Sequence, residues 1–220
     1  MTTSGTTAFN LDVMALIEHA YTKAGRTFRS GYDFESARRA LDLLLIEWAN
    51  QGVNLWTVQN TVRPLTIGVG SYALPADTVD VLDVALVDNS RDFLLERIGQ
   101  NAYAGISDKL LRGRPQQFYV ERTATPTLRI WPTPQKVYSL TYWRMRRIQD
   151  AGSALNTIDA PARFLPALTA GLALALARLS PQLDQARIAV LSEEARQSLM
   201  LAQMEDRERG SFYLRPSRAF

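Results

Sequence analysis

Cysteine is absent from the 220-residue sequence, and histidine occurs once, at His19. Without cysteine the chain has no disulfide framework, no thiolate zinc site and no thiol nucleophile. A single histidine also removes the histidine pairs that bind metals and the usual general base of hydrolases. We therefore expect no metal, no cofactor and no enzymatic activity.

Long hydrophobic runs are missing as well. Residues 164–177 contain no charged side chain, but this stretch is alanine-rich and shorter than the roughly 20 apolar residues that span a bilayer. No apolar segment follows the N-terminus, so we expect no secretion signal, synthesis in the cytosol and no membrane partner. The net charge of +3, from 25 basic and 22 acidic residues, is too small to indicate a nucleic-acid partner by itself.

The charge-free stretch at 164–177 predicts the central helix of the fold. Asp159 is suited to cap its first turn, and Pro161 stands where a missing N–H costs least. A helix that is apolar on nearly every face must be covered on nearly every face, so we expect other helices to pack around it. Three such helices are predicted, from Asn10 to Gly25, from Asp33 to Gly52 and from Ser180 to about Gly210.

Strand and turn chemistry replaces the helical periodicity between residues 55 and 154. Strand-like runs at hairpin spacing predict a mainly antiparallel arrangement. We therefore predict an α+β protein, mainly an α-helical bundle of about four helices, with a β-rich antiparallel insertion between helices two and three. The expected organisation is a helical core at 1–54 and 155–210, a β-rich insertion at 55–154 and an extended C-terminal docking tail at 211–220.

Catalytic and cofactor motifs are weak in this sequence. Gly68-Val-Gly70 matches half of a dinucleotide fingerprint, but the third glycine is missing and we interpret the segment as a turn. Paired carboxylates would suffice for glycoside hydrolysis, but nothing selects a pair among 22 acids.

A basic segment at the end of the last predicted strand is the clearest candidate surface for phosphates. Arg144, Arg146 and Arg147 follow or lie between Tyr142, Trp143 and Met145, a composition typical of nucleic-acid contacts. In a strand, Arg144 and Arg146 share one face and Arg147 lies on the other. Two interpretations stay open, an arginine-rich solvent face of a sheet and a surface that contacts DNA.

Three short motifs carry a resemblance to a known family: Gly70-Ser-Tyr72-Ala-Leu-Pro75, Gly113-Arg-Pro115 and Ile130-Trp-Pro132-Thr-Pro134. Together with the helices before and after them, they make residues 37–209 resemble the head-to-tail adaptors of tailed bacteriophages, especially short-tailed ones. The resemblance implies a structural protein of the virion at the head-to-tail junction, assembled in the host cytoplasm. It implies a dodecameric ring under the portal protein that extends the channel for genomic DNA and offers a platform for a nozzle, tail fibre or spike.

The last ten residues have no acidic side chain and combine aromatic and basic groups. The resemblance implies that the final helix and this tail engage the portal or a neighbouring subunit. The residues we expect to make that contact are Phe212, Tyr213, Leu214, Arg215, Arg218 and Phe220. Two alternative functions remain, a nucleic-acid-binding protein that uses Arg144, Arg146 and Arg147, and a virion-associated cell-wall hydrolase.

Overall fold

The computed structural model describes Gly5, Phe9 and residues 11–29, 31–179 and 184–206. Within them the chain forms five α-helices and ten strands. The helices are α1 (Val13–Lys23), α2 (Gly31–Asn50), α3 (Gln100–Ala104), α4 (Leu165–Arg178) and α5 (Gln185–Glu205). The strands are β1 (Val58–Pro64), β2 (Ser71–Ala73), β3 (Thr78–Asp88), β4 (Arg91–Leu94), β5 (Glu96–Arg97), β6 (Arg112–Gly113), β7 (Gln117–Glu121), β8 (Thr127–Trp131), β9 (Thr133–Pro134) and β10 (Ser139–Arg146).

The expectation of a mainly α-helical four-helix bundle is wrong. The protein is 40% helical and 26% strand, and the described strands form three sheets. The physical reason is that residues 54–148 bury a hydrophobic core of their own, so they form a separate compact unit and not an insertion on a helical core. The chain divides into two compact units, residues 1–53 with 149–220 and residues 54–148.

The helical unit contains α1, α2, α4 and α5, and α4 packs against the other three. The central position of α4 follows from its composition, since Arg178 is its only charged residue. Eight of its 14 residues are buried. Gly171 allows α2 to approach closely, since a Cβ at this position would lie 2.9 Å from Cδ2 of Leu44. Asp12 and Asp184 cap α1 and α5 by accepting hydrogen bonds from backbone N–H groups of the first turn.

Two four-stranded sheets make up most of the β unit, in the strand orders β1-β10-β3-β4 and β2-β8-β7-β5. One face of each sheet contributes to a shared apolar core, where alternate residues such as Leu140 and Tyr142 of β10 and Phe118 and Val120 of β7 are buried. Most neighbouring strands are antiparallel, but β5 pairs with β7 and β6 pairs with β9 in parallel. These two short parallel pairs are absent from the predicted antiparallel insertion.

Candidate interaction surfaces

Arg144, the first of the three predicted basic residues, lies in the interior of the β unit. Its side chain follows Leu140 and Tyr142 on the core face of β10, and only 9% of the residue is exposed. Its guanidinium donates to Oδ1 of Asp77 at 2.7 Å, to Oγ1 of Thr78 at 3.1 Å and to Oε1 of Gln59 at 2.8 Å. The hydrogen bond from this guanidinium is the main cause that lowers the pKa of Asp77 below its ordinary value.

The other two predicted arginines have different surroundings. Arg146 is half-buried and donates from Nη1 to the carbonyl oxygen of Arg147 at 3.0 Å. Arg147 is exposed, and its backbone N–H donates to the carbonyl oxygen of Asp77 at 2.8 Å. The three arginines therefore do not present one continuous basic surface, because the guanidinium of Arg144 bonds within the sheet.

The six predicted contact residues of the tail, Phe212, Tyr213, Leu214, Arg215, Arg218 and Phe220, lie outside the described residues. The described chain stops at Asp206, whose carboxylate pairs with the guanidinium of Arg163 just before α4. Asp206, the last described residue, therefore lies at the end of the helical unit at which α4 begins.

The three motifs that carry the family resemblance meet at one place in the β unit. Backbone hydrogen bonds join Ile130 to Gly70, Gly68 to Pro134 and Gln135 to Gly113. A Cβ on Gly70 would lie 2.9 Å from Cγ2 of Thr133 and 3.2 Å from the carbonyl oxygen of Ile130. These motifs build the fold of the β unit, since Gly70 and Gly113 allow neighbouring segments of the chain to approach closely.

Helix α5 has little cover from the described residues of its own unit. It spans 21 residues, yet Leu191 and Ala202 are its only buried side chains. Its outer side exposes several large apolar side chains, and Leu201 is 65% exposed. Apolar groups repeated along one helix face are typical of a surface that packs against another chain. The exposed apolar residues of α5 are Val190, Met200, Leu201 and Met204.

A second apolar surface lies on α2, where Leu43 and Ile46 are exposed. Beside Leu43, a groove of about 370 Å³ runs between α2 and α4. A neighbouring groove of about 340 Å³ is bounded by α2, α4 and α5. Leu44 and Glu47 line both, so they form one surface, which we call the α2–α4 groove. Its charged rim consists of Arg39, Glu47, Arg178 and Arg196.

Sequence reasoning missed the apolar part of this groove. In the sequence, the spacing of Leu41, Leu44, Leu45 and Trp48 predicts the core side of α2, and the acidic and basic residues elsewhere on the helix predict a charged opposite face. The signal that was present is the run of four consecutive apolar residues, 43–46, because a run of this length on a helix must expose some of them.

Among the described residues, no helix is long and apolar enough to cross a membrane. The same part of the chain contains no group of three or more histidine or acidic side chains placed to hold a metal ion.

A family model described as SU10 adaptor protein matches residues 13–218. This match covers nearly the whole chain, including both compact units and most of the tail. No curated protein matches the sequence.

Proposed function

The chain belongs to the SU10 adaptor protein family, and from this premise we propose that it is a structural protein of the head-to-tail junction of a bacteriophage virion. In this role it forms a dodecameric ring under the portal protein, extends the passage for genomic DNA and carries the tail protein below. The observation that supports protein contacts over catalysis is the exposure of large apolar side chains on both α2 and α5.

The ring contact joins two different surfaces of the helical unit. A closed ring repeats a head-to-tail interface, so each subunit must present two complementary surfaces. The α2–α4 groove and the exposed apolar side of α5 are two such surfaces, and α5, at about 1.5 Å per residue, is about 31 Å long. We propose that the groove of one subunit receives α5 of its neighbour.

Charge supports this pairing. From Asp184 to Asp206, the segment with α5 carries five acids and two arginines, a net charge of −3. The part of the rim that α2 and α4 contribute carries two arginines, Arg39 and Arg178, and one glutamate, Glu47, a net charge of +1. Since part of this attraction acts through exposed groups, we expect the ring contact to weaken at high salt and the isolated subunit to be monomeric.

Engineered cysteines test the ring contact cleanly because the natural chain has none. Leu43→Cys combined with Leu201→Cys should give a ladder of disulfide-linked multimers when the protein is bound to portal. A control pair, Leu43→Cys with Glu18→Cys, uses an exposed residue of α1 and should stay monomeric under the same oxidation. A ladder from the control alone, or no ladder from portal-bound test protein, would contradict the proposed contact.

The C-terminal tail is the second part of the proposal, and we assign it to the portal. Phe212, Tyr213, Leu214 and Phe220 are apolar, and burying each contributes about 1.5–3 kcal/mol. Arg215 and Arg218 add charge-assisted hydrogen bonds to acidic or carbonyl groups of the partner. Four buried side chains and two such bonds are sufficient to anchor a subunit.

Truncation after Gly210 tests this assignment. The truncated subunit should keep the thermal stability of the full chain but lose its attachment to portal. Substituting Arg215 and Arg218 together by glutamine should weaken attachment less than truncation, because the apolar anchors remain. Unaltered portal affinity of the truncated protein would show that the tail has no docking role, and loss of its folding would show a structural one.

A further inference from the structure

Two arginines share one carboxylate at the edge of the β unit. Arg97 on β5 donates from Nη2 to Asp80 at 2.8 and 3.0 Å, and Arg122 after β7 donates to the same carboxylate at 2.5 Å. Arg97 also donates from Nη1 to the carbonyl oxygen of Val81 at 3.1 Å. Because one carboxylate balances one guanidinium, this triad keeps a charge of +1.

The two guanidinium groups border a cleft of about 440 Å³. The side chain of Arg122 is 60% exposed, and its hydrogen bond from Nη2 to Asp80 occupies one of the five N–H donors of a guanidinium. The side chain of Asp80 is only 16% exposed, whereas those of Arg97 and Arg122 are 41% and 60% exposed. The carboxylate therefore holds both guanidinium groups from the protein interior, and part of each guanidinium faces solvent. The remaining lining residues include Gly99, Gln100 and Thr123.

The charged neighbours leave the cleft basic. Glu121 also lines it, but this carboxylate pairs with Arg129 at 2.8 Å. Tyr119 lies in the lining and stacks on Tyr103 with ring centroids 5.4 Å apart, while Arg129 and Lys109 lie over the Tyr103 ring. The charged lining residues and their ion-pair partners are three arginines, Arg97, Arg122 and Arg129, and two carboxylates, Asp80 and Glu121, a net charge of +1.

The cleft combines a concave surface with two arginines that are held in place and keep unused N–H donors. This combination is suited to binding a phosphate group. A guanidinium binds phosphate oxygens through paired N–H donors, and arginines already held in place lose little side-chain freedom when they bind. We propose that this cleft, which we call the Asp80 cleft, binds a phosphate group. That group can belong to a nucleic-acid backbone or be free phosphate, and the inference does not depend on the ring.

The Asp80 cleft differs from the basic segment at Arg144 in its origin. Its three charged residues come from β3, from β5 and from the end of β7, and 17 to 42 positions separate Asp80 from its partners. No local motif joins them, so the cleft exists only in the folded β unit. The exposed position of Arg122 makes it the residue to change, because the bond between Arg97 and Asp80 stays intact when Arg122 is replaced.

The test uses the full chain and two probes, inorganic phosphate and a 20-base-pair DNA duplex. Arg122→Gln should weaken binding of whichever probe binds by about tenfold or more. Arg91→Gln removes the same charge from an exposed position on β4 and is the matched control, which should change binding by less than twofold. Thermal unfolding of both variants shows that they are folded.

The two probes identify the source of the phosphate. Shifts of the Arg97 and Arg122 side-chain NMR signals with inorganic phosphate, without duplex binding, support a free-phosphate site. Duplex binding that falls with salt and is weakened by Arg122→Gln supports a backbone contact, since each neutralised phosphate adds about 0.9 to the logarithmic salt slope. The proposal is overturned if neither probe binds, or if Arg122→Gln and Arg91→Gln have equal effects.

Discussion

Replacing Arg144 by methionine should destabilise the β unit, although the sequence offers this residue as a surface or channel contact. Methionine keeps the apolar stem but removes the guanidinium that bonds Asp77, Thr78 and Gln59. Each hydrogen bond to a charged group contributes about 1.5–3 kcal/mol, but methionine also avoids the cost of burying a charge.

The exposure of the partners sets the size of the net loss. Removing one partner of a fully buried ion pair costs about 3–5 kcal/mol. Here the side chain of Asp77 is 46% exposed and can turn to water, whereas Thr78 is buried and loses its donor. We therefore expect Arg144→Met to lower the free energy of unfolding of the β unit by about 2–3 kcal/mol.

Urea unfolding followed by tryptophan fluorescence measures this loss. Trp56, Trp131 and Trp143 lie in the β unit and Trp48 in the helical unit, so a Trp48→Phe background reports on the β unit alone. The control Arg147→Met removes an exposed arginine and should stay within about 0.5 kcal/mol of the parent. If both variants have the same stability, Arg144 has no structural role and the surface interpretation gains support.

Three further outcomes follow from local contacts. The pKa of Asp77 is lower in the folded protein, so its ion pair with Arg144 stabilises the fold above about pH 4, and this stabilisation is lost as the pH falls through the folded pKa. In Asp77→Asn, the free energy of unfolding measured across the same acid range should not show this loss. Gly70→Ala should cost about 1–3 kcal/mol because its Cβ meets the backbone at Ile130, while Gly99→Ala, where nothing lies within 4 Å, should be nearly neutral by thermal unfolding. Hydrogen bonds from neighbouring side chains lower the pKa of Glu193 to about 2, and an NMR titration that finds an ordinary value would show that these bonds do not persist.

The sequence predicted the helices best, because their apolar residues recur at helical spacing or, in α4, cover nearly every face. The helix at Leu165–Arg178 covers nearly all of the charge-free stretch 164–177 that predicts it, and α4 packs against helices on several sides as that composition requires. Its first turn differs from the prediction. Asp159 accepts from the backbone of Gln149 instead of capping α4, and a short 3-10 turn at Ala162–Phe164 precedes the helix.

The environment of Arg144 shows what alternation alone leaves undecided. The two-residue periodicity of a strand correctly predicts that alternate residues of β10 share a face, but it does not predict which of the two faces is buried in the core. Leu140 and Tyr142 share the face of Arg144, and their burial draws the arginine into the interior beside Asp77. The presence of those two apolar residues was the available signal.

The size of the β unit and the geometry of the Asp80 cleft both depend on contacts between residues that are far apart in the sequence. Pairing β1 with β10 joins segments about eighty positions apart, and such pairings follow from the total buried area instead of any local pattern. The prediction therefore placed strands in the middle of the chain but underestimated them as an insertion in a helical bundle. The sharing of Asp80 by Arg97 and Arg122 depends on the same long-range pairing.

The mass and rotational symmetry of the protein, measured alone and in complex with the portal protein of its phage, test the proposed adaptor role most directly. Native mass spectrometry of the complex gives the number of subunits, and electron microscopy gives their arrangement. We predict a closed ring of twelve head-to-tail subunits on the portal and a monomer in its absence. A salt-resistant dimer with two-fold symmetry that does not bind portal would contradict this function.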